Sequence, residues 1–233
     1  TTIELNKGWK FSKGNNEKAF ENNFNDSKWQ AVSVPHDWAI YGPFDKEIDK
    51  QVTAIVQNGE KVATEKTGRT GALPYIGEAW YRNQFSVPNL DKNKKVILLF
   101  EGAMSEPKVF LNGKKVGEWN YGYNFFYFDI TDFLVANGKN NLAVHLSNVG
   151  ESSRWYPGAG LYRKVKLIVK NKESINQWGT FVTTPIVTDD LAKVNIKTKV
   201  TGENLRIVTK IKDASGNEVA NNKSEAIFGN EFE

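Results

Sequence analysis

The sequence predicts an all-β protein: a jelly-roll β-sandwich followed by a second, shorter series of strands. Three observations carry this. Helical periodicity is nearly absent across the 233 residues, while short runs of alternating or continuous apolar residues recur with turn residues between them. Asn-Gly pairs, the signature of tight hairpins, stand between such runs at Asn58-Gly59, Asn112-Gly113 and Asn137-Gly138. Aromatic residues make up 12% of the chain, with seven Trp and fourteen Phe, a composition suited to packed strands and to a sugar or peptide surface.

Composition also excludes several function classes. There is no cysteine, which removes disulfides, thiolate catalysis and Cys-ligated zinc. The net charge of +4 comes from scattered lysines, a solvated surface and not a nucleic-acid stripe. No apolar run is long enough to span a bilayer. The length suits one large and one smaller unit.

Taken in order, Ile3–Phe11 (IELNKGWKF) reads as a short strand with a glycine bend and an anchor at Trp9. Asn15–Asp26 is polar with Phe20 and Phe24 at i, i+4, the spacing of one helical turn. Ala31–Val34 is strand-like and Pro35 ends it, leaving His36, Asp37 and Trp38 in a loop beyond the strand. Tyr41–Gly77 is the least regular part, with a small hairpin turning at Asn58-Gly59.

Strand character then strengthens. Ala79–Val87 alternates up to Pro88, Val96–Ala103 is a continuous apolar run expected to be buried on both faces, and Lys108–Trp119 is a hairpin about Asn112-Gly113. Phe125–Thr131 follows, and an Asn-Gly turn leads to the strand LAVHLSN, where His145 is expected to be packed. About eight such strands joined by long and short turns describe a jelly roll. Asn171–Asn176 is a polar break, and beyond it Thr180–Asp190, Ala192–Gly202 and Asn204–Gly216 form a second strand series with a turn at Asp213–Gly216. These last residues are too few for a full seven-stranded sandwich and read as a truncated second β domain.

The densest chemistry lies in SSRWYPGAGLYR, Ser152–Arg163. Trp155 and Tyr156 offer ring faces beside the donor fork of Arg154, and Pro157, Gly158 and Gly160 fix a turn that bulkier residues could not make. A ligand-facing loop and a simple aromatic plug for the sandwich are both open readings. No metal-ligand cluster or catalytic constellation is visible, and Asp45, Glu47 and Asp49 read as a solvated acidic patch.

Several of these pieces together resemble the N-terminal part of glycoside hydrolases of family 2, of the β-galactosidase and β-glucuronidase type. They are IELNKGWKF, WQAVSVPHDWAI at Trp29–Ile40, GEAWYR at Gly77–Arg82, FEGAMSEPKVFLNGKKVGEW at Phe100–Trp119, FDIT at Phe128–Thr131 and SSRWYPGAGLYRKVKL at Ser152–Leu167, in that order. PHDWAI and SSRWYPGAGLYR are closest to the bacterial β-galactosidase pattern.

The resemblance implies a jelly-roll (galactose-binding-like) sugar-binding domain over residues 1–172. It implies an immunoglobulin-like β-sandwich domain, truncated, over 173–233, and then a barrel outside this chain that carries two catalytic glutamates. It implies a retaining mechanism, a terminal β-galactoside-like glycan, no cofactor in this segment, the barrel of the same protein as partner with a homo-oligomer open, and a periplasmic or extracellular bacterial setting. Three residues are implicated in substrate binding. Arg154 stands where the family reaches toward the sugar and several relatives carry Asp, so its donor direction differs. Glu78 closes the loop Leu73–Glu78, where relatives also approach the sugar. Asp37 either faces that edge or is a structural aspartate bonding turn amides. A stand-alone carbohydrate-binding module, a structural β scaffold and another family 2 specificity are the alternatives.

Overall fold

A computed structural model describes residues 1–50, 53–68, 70–150 and 157–224, and the backbone of 231–232. The described chain is almost entirely β and separates into two compact units: Thr1–Leu90 with Lys95–Val169, and Asp91–Lys94 with Lys170–Glu233.

The first unit is a jelly-roll sandwich of two sheets. One has six strands in the order β3 (Gln30–Val32), β2 (Trp9–Lys13), β4 (Gly77–Ser86), β9 (Lys139–Asn148), β6 (Lys108–Leu111) and β7 (Lys114–Glu118). The other has four, in the order β1 (Thr2–Glu4), β10 (Val165–Asn171), β5 (Lys94–Phe100) and β8 (Phe126–Asp129). The N-terminal segment therefore forms two strands in different sheets, not one. Gly8, with φ at +80°, makes the bend between them, and the Trp9 indole donates to the Leu5 carbonyl across it at 2.6 Å.

The core follows from strand alternation. Ala79, Tyr81 and Phe85 of β4 pack inward with Trp9, Phe11, Leu98, Phe100, Leu142 and Leu146. The intervening Trp80 faces outward, where with Ala19 and Ala143 it forms a second apolar layer beneath Phe20, Phe24 and Trp29. The apolar run in β5 is buried on both faces at Val96, Ile97 and Leu98, as its sequence requires.

Asn15–Asp26 forms no helix. Its turns are closed by i→i−3 bonds from the amides of Ala19, Glu21 and Phe24. Phe20 stacks on Phe110 with ring centres 5.2 Å apart, and Phe24 meets Trp29 edge-on at 5.3 Å. Arg82 of β4 explains the shape: its Nε donates to Asp26 Oδ2 at 2.8 Å, and its Nη1 donates to the carbonyls of Ala19 and Glu21.

The second unit is a partial immunoglobulin-like sandwich. β11 (Ser174–Val187) pairs antiparallel with β12 (Ala192–Thr201), which pairs with β15 (Glu231–Phe232), and β13 (Val208–Lys212) pairs with β14 (Glu218–Lys223). Much of the polar break is strand, because β10 runs to Asn171 and β11 starts at Ser174. Polarity marks the solvent exposure of these strands, not a loss of pairing.

Candidate functional site

One end of the sandwich holds Asp37, whereas Glu78 lies on a sheet face, and Arg154, Trp155 and Tyr156 lie outside the described residues. Beyond β3, the segment His36–Ala39 runs alongside Gly158–Leu161. The His36 amide donates to the Leu161 carbonyl at 2.9 Å, and the Trp38 amide donates to the Ala159 carbonyl at 2.8 Å. Asp37 joins the two segments from the side: its Oδ1 accepts from the amides of Ala39 at 2.9 Å and Ala159 at 3.1 Å. Burial pushes its carboxyl above the ordinary 3.8, and these amides oppose the shift. Asp37 thus fills the amide-bonding role that its turn context predicts.

The glycines serve close approach as much as turning. A Cβ on Gly158 would lie 2.9 Å from Asp37 Oδ2, and one on Gly160 would lie 2.5 Å from the Tyr81 hydroxyl and would also collide with the His36 carbonyl. Only glycine admits both contacts, and Gly160 has φ at +136°.

Beneath this junction His36 Nδ1 lies 2.6 Å from the Tyr81 hydroxyl. Burial holds the imidazole below its ordinary 6.5, so it is neutral at pH 7, and burial raises the phenol, which keeps its proton. The Leu161 amide donates to the phenol oxygen. The imidazole and the phenol are thus hydrogen-bonded to each other with both groups neutral. This buried pair is a structural fastener, with Phe11 packed on the His36 ring at 4.8 Å.

Glu78 is placed differently. It alternates with the core-facing Ala79 and lies on the outer face of the six-stranded sheet with Trp80. Its carboxylate is 3.8 Å from His145 Nε2 and its side chain is 39% exposed. His145 packs on Trp80 with ring centres 4.8 Å apart. The structure therefore engages Asp37 and Glu78 with separate partners, Asp37 with backbone amides and Glu78 with a histidine.

Comparison with known proteins places this arrangement. Residues 3–171 match the model of the family described as glycosyl hydrolases family 2, sugar binding domain. The chain belongs to this family. It is 36% identical over 236 residues to a β-galactosidase, BoGH2A, of Bacteroides ovatus, covering 98% of this chain and 26% of that protein. It is 30% identical over 219 residues to a putative β-glucuronidase of Formosa agariphila, covering 93% of this chain and 19% of that protein. Among solved structures, a glycosyl hydrolase family 2 member from Bacteroides cellulosilyticus superposes with a TM-score of 0.79 at 28% identity, over 99% of this chain and 29% of that one. The chain thus spans about a quarter of the length of the relatives it matches.

In this family 2 sugar-binding domain, sequence reasoning missed the residue that fixes the site's frame. Asn148, at the end of β9, is 4% exposed. Its Nδ2 donates to the Tyr75 carbonyl at 2.9 Å and to the Gly158 carbonyl at 3.3 Å, and its Oδ1 accepts from the Ser105 hydroxyl at 2.8 Å. Three separate loops meet at this one amide. A lone Asn at the end of an apolar strand carries no local signal of such a role, because every partner is distant in sequence.

Proposed function

We propose that this segment is the N-terminal accessory part of a retaining β-galactosidase-type glycoside hydrolase that cleaves terminal β-glycosidic bonds. Two glutamates, about 5 Å apart across the scissile bond, would come from a barrel outside the segment. The segment braces that barrel and lends one edge of the sugar pocket through Arg154. The observation that supports this most is the Asn148 bracket. Asn148 and Gly158 flank the stretch that contains Arg154, and a buried amide joins them at 3.3 Å, so that stretch starts and ends on fixed points.

A β-glucuronidase-type specificity is the second reading. It is favoured by the 30% identity to the putative β-glucuronidase and by Arg154 itself, since a guanidinium pairs a carboxylate more strongly than a neutral hydroxyl. Assaying the longer protein on nitrophenyl β-galactoside and nitrophenyl β-glucuronide separates the two. The expected result is a higher kcat/KM on the galactoside, lowered about 10- to 100-fold by Arg154→Ala with an unchanged melting temperature. A loss of melting temperature with normal kcat/KM would remove Arg154 from the sugar pocket.

A further inference from the structure

The connection from β7 to β8 reads WNYGYNF, Trp119–Phe125, an unusual density of rings for a surface loop. Trp119 and Tyr121 remain 37% and 54% exposed, and with Glu118 and Asn120 they line a cleft of about 240 Å3. The cleft is held from behind. The Trp119 ring stacks on the buried Phe126 at 5.9 Å with 13° between planes, and its amide donates to the Pro107 carbonyl at 3.0 Å. Just past Tyr121, the Gly122 carbonyl accepts from the Tyr162 hydroxyl at 2.6 Å. Gly122 also packs so closely on the Met104 thioether that a Cβ there would collide.

We propose that this cleft is a glycan-binding subsite that stacks pyranose units of an oligosaccharide on Trp119 and Tyr121. One face of a pyranose presents C–H bonds of slight positive charge, which suit the negative face of an aromatic ring. Its rim presents hydroxyls, which here meet the Glu118 carboxylate and the Asn120 amide. Lys115 donates to Glu118 Oε2 at 2.7 Å and orients it. An apolar peptide would instead desolvate these two polar groups without replacing their bonds to water. The loop is tied to the strand end described above: Met104, against which Gly122 packs, exchanges backbone hydrogen bonds with Gly160 at 2.9 and 3.0 Å. The subsite does not depend on which glycosidic bond the longer protein cleaves, or on whether it cleaves one.

The experiment is a calorimetric titration of this chain with galacto-, manno-, xylo- and cello-tetraose, and with galactose alone, each to about 10 mM. At least one tetraose should bind with a Kd near 1 mM, on the order of tenfold more tightly than galactose. Tyr121→Ala and Trp119→Ala should each weaken that binding about tenfold or more. Phe44→Ala, which removes an exposed ring elsewhere, should leave it unchanged. Tyr121 is the decisive position if Trp119→Ala fails to fold, because its own ring is the more exposed. No binding by any tetraose, or binding that Tyr121→Ala does not weaken, overturns the proposal. So does a concentration-dependent dimer that Tyr121→Ala abolishes, which would assign the cleft to a second copy of the chain.

Discussion

Gly160 sits with φ at +136° against the His36 carbonyl and the Tyr81 hydroxyl, so a side chain there meets a backbone penalty and a collision together. Gly160→Ala is expected to cost about 2–4 kcal/mol. Gly71→Ala, at φ +62° with nothing within 4 Å of a new Cβ, should cost only about 1 kcal/mol. Chemical denaturation of both variants isolates the collision, and equal losses would show that it is relieved. The two histidines make a second residue-scale prediction. Burial is the main cause that holds His36 and His145 below 6.5, though Glu78 opposes it at His145. A folded value lowered in this way means that the unfolded chain binds more protons just below pH 6.5. Stability is then fully present above 6.5 and is lost as pH falls from 6.5 toward the folded values. The melting temperature should therefore drop between about pH 7.5 and about pH 5.5, and a rise over that interval would contradict the buried neutral pair of His36 and Tyr81.

At the scale of elements, what was legible in the sequence was local. The β6–β7 hairpin follows from Asn112-Gly113, and both residues take positive φ, +52° and +80°, as a type I′ turn demands. At Asn137-Gly138 only Asn137 does, at +54°, and the Gly138 amide returns to the Val135 carbonyl at 3.1 Å. The pair signalled a turn there but not its type. The segment Asn15–Asp26 could not be read, because its shape is imposed from Arg82, far along the chain. The same holds for Glu78, whose face depends on strand register, and for Asn148, whose partners lie on three loops. Arg82 gives this scale its prediction. Its side chain is 6% exposed and the partner carboxylate of Asp26 31%, so Asp26→Asn leaves a buried guanidinium without its counter-charge. The expected loss is about 3 kcal/mol, read by denaturation, with Phe24 and Trp29 becoming more accessible as the segment detaches. A loss near zero would mean that the carbonyls of Ala19 and Glu21 suffice to hold the arginine.

For the whole molecule, the proposed division of labour puts glycan contact in this segment and bond cleavage elsewhere. Retention of configuration needs two carboxyl groups about 5 Å apart, one protonated and one free to attack. The two carboxylates brought forward here do not meet that need: Asp37 is engaged by the amides of Ala39 and Ala159, and Glu78 lies beside His145 on the outer face of the sheet. The 233-residue chain is therefore expected to show no turnover of nitrophenyl β-galactoside, even at high protein concentration. Activity that survives repurification and scales with the amount of chain would overturn this and would require a carboxylate pair within the segment. Binding and cleavage then become separable measurements on one polypeptide. The Trp119–Tyr121 cleft belongs wholly to the first unit and should hold an oligosaccharide without hydrolysing it. In the proposed division the edge near Arg154 closes around a sugar only together with the barrel, so this chain alone should show little affinity for galactose. Tight stoichiometric galactose binding by the chain would instead mean that the segment completes a monosaccharide pocket by itself and would favour a free-standing carbohydrate-binding module.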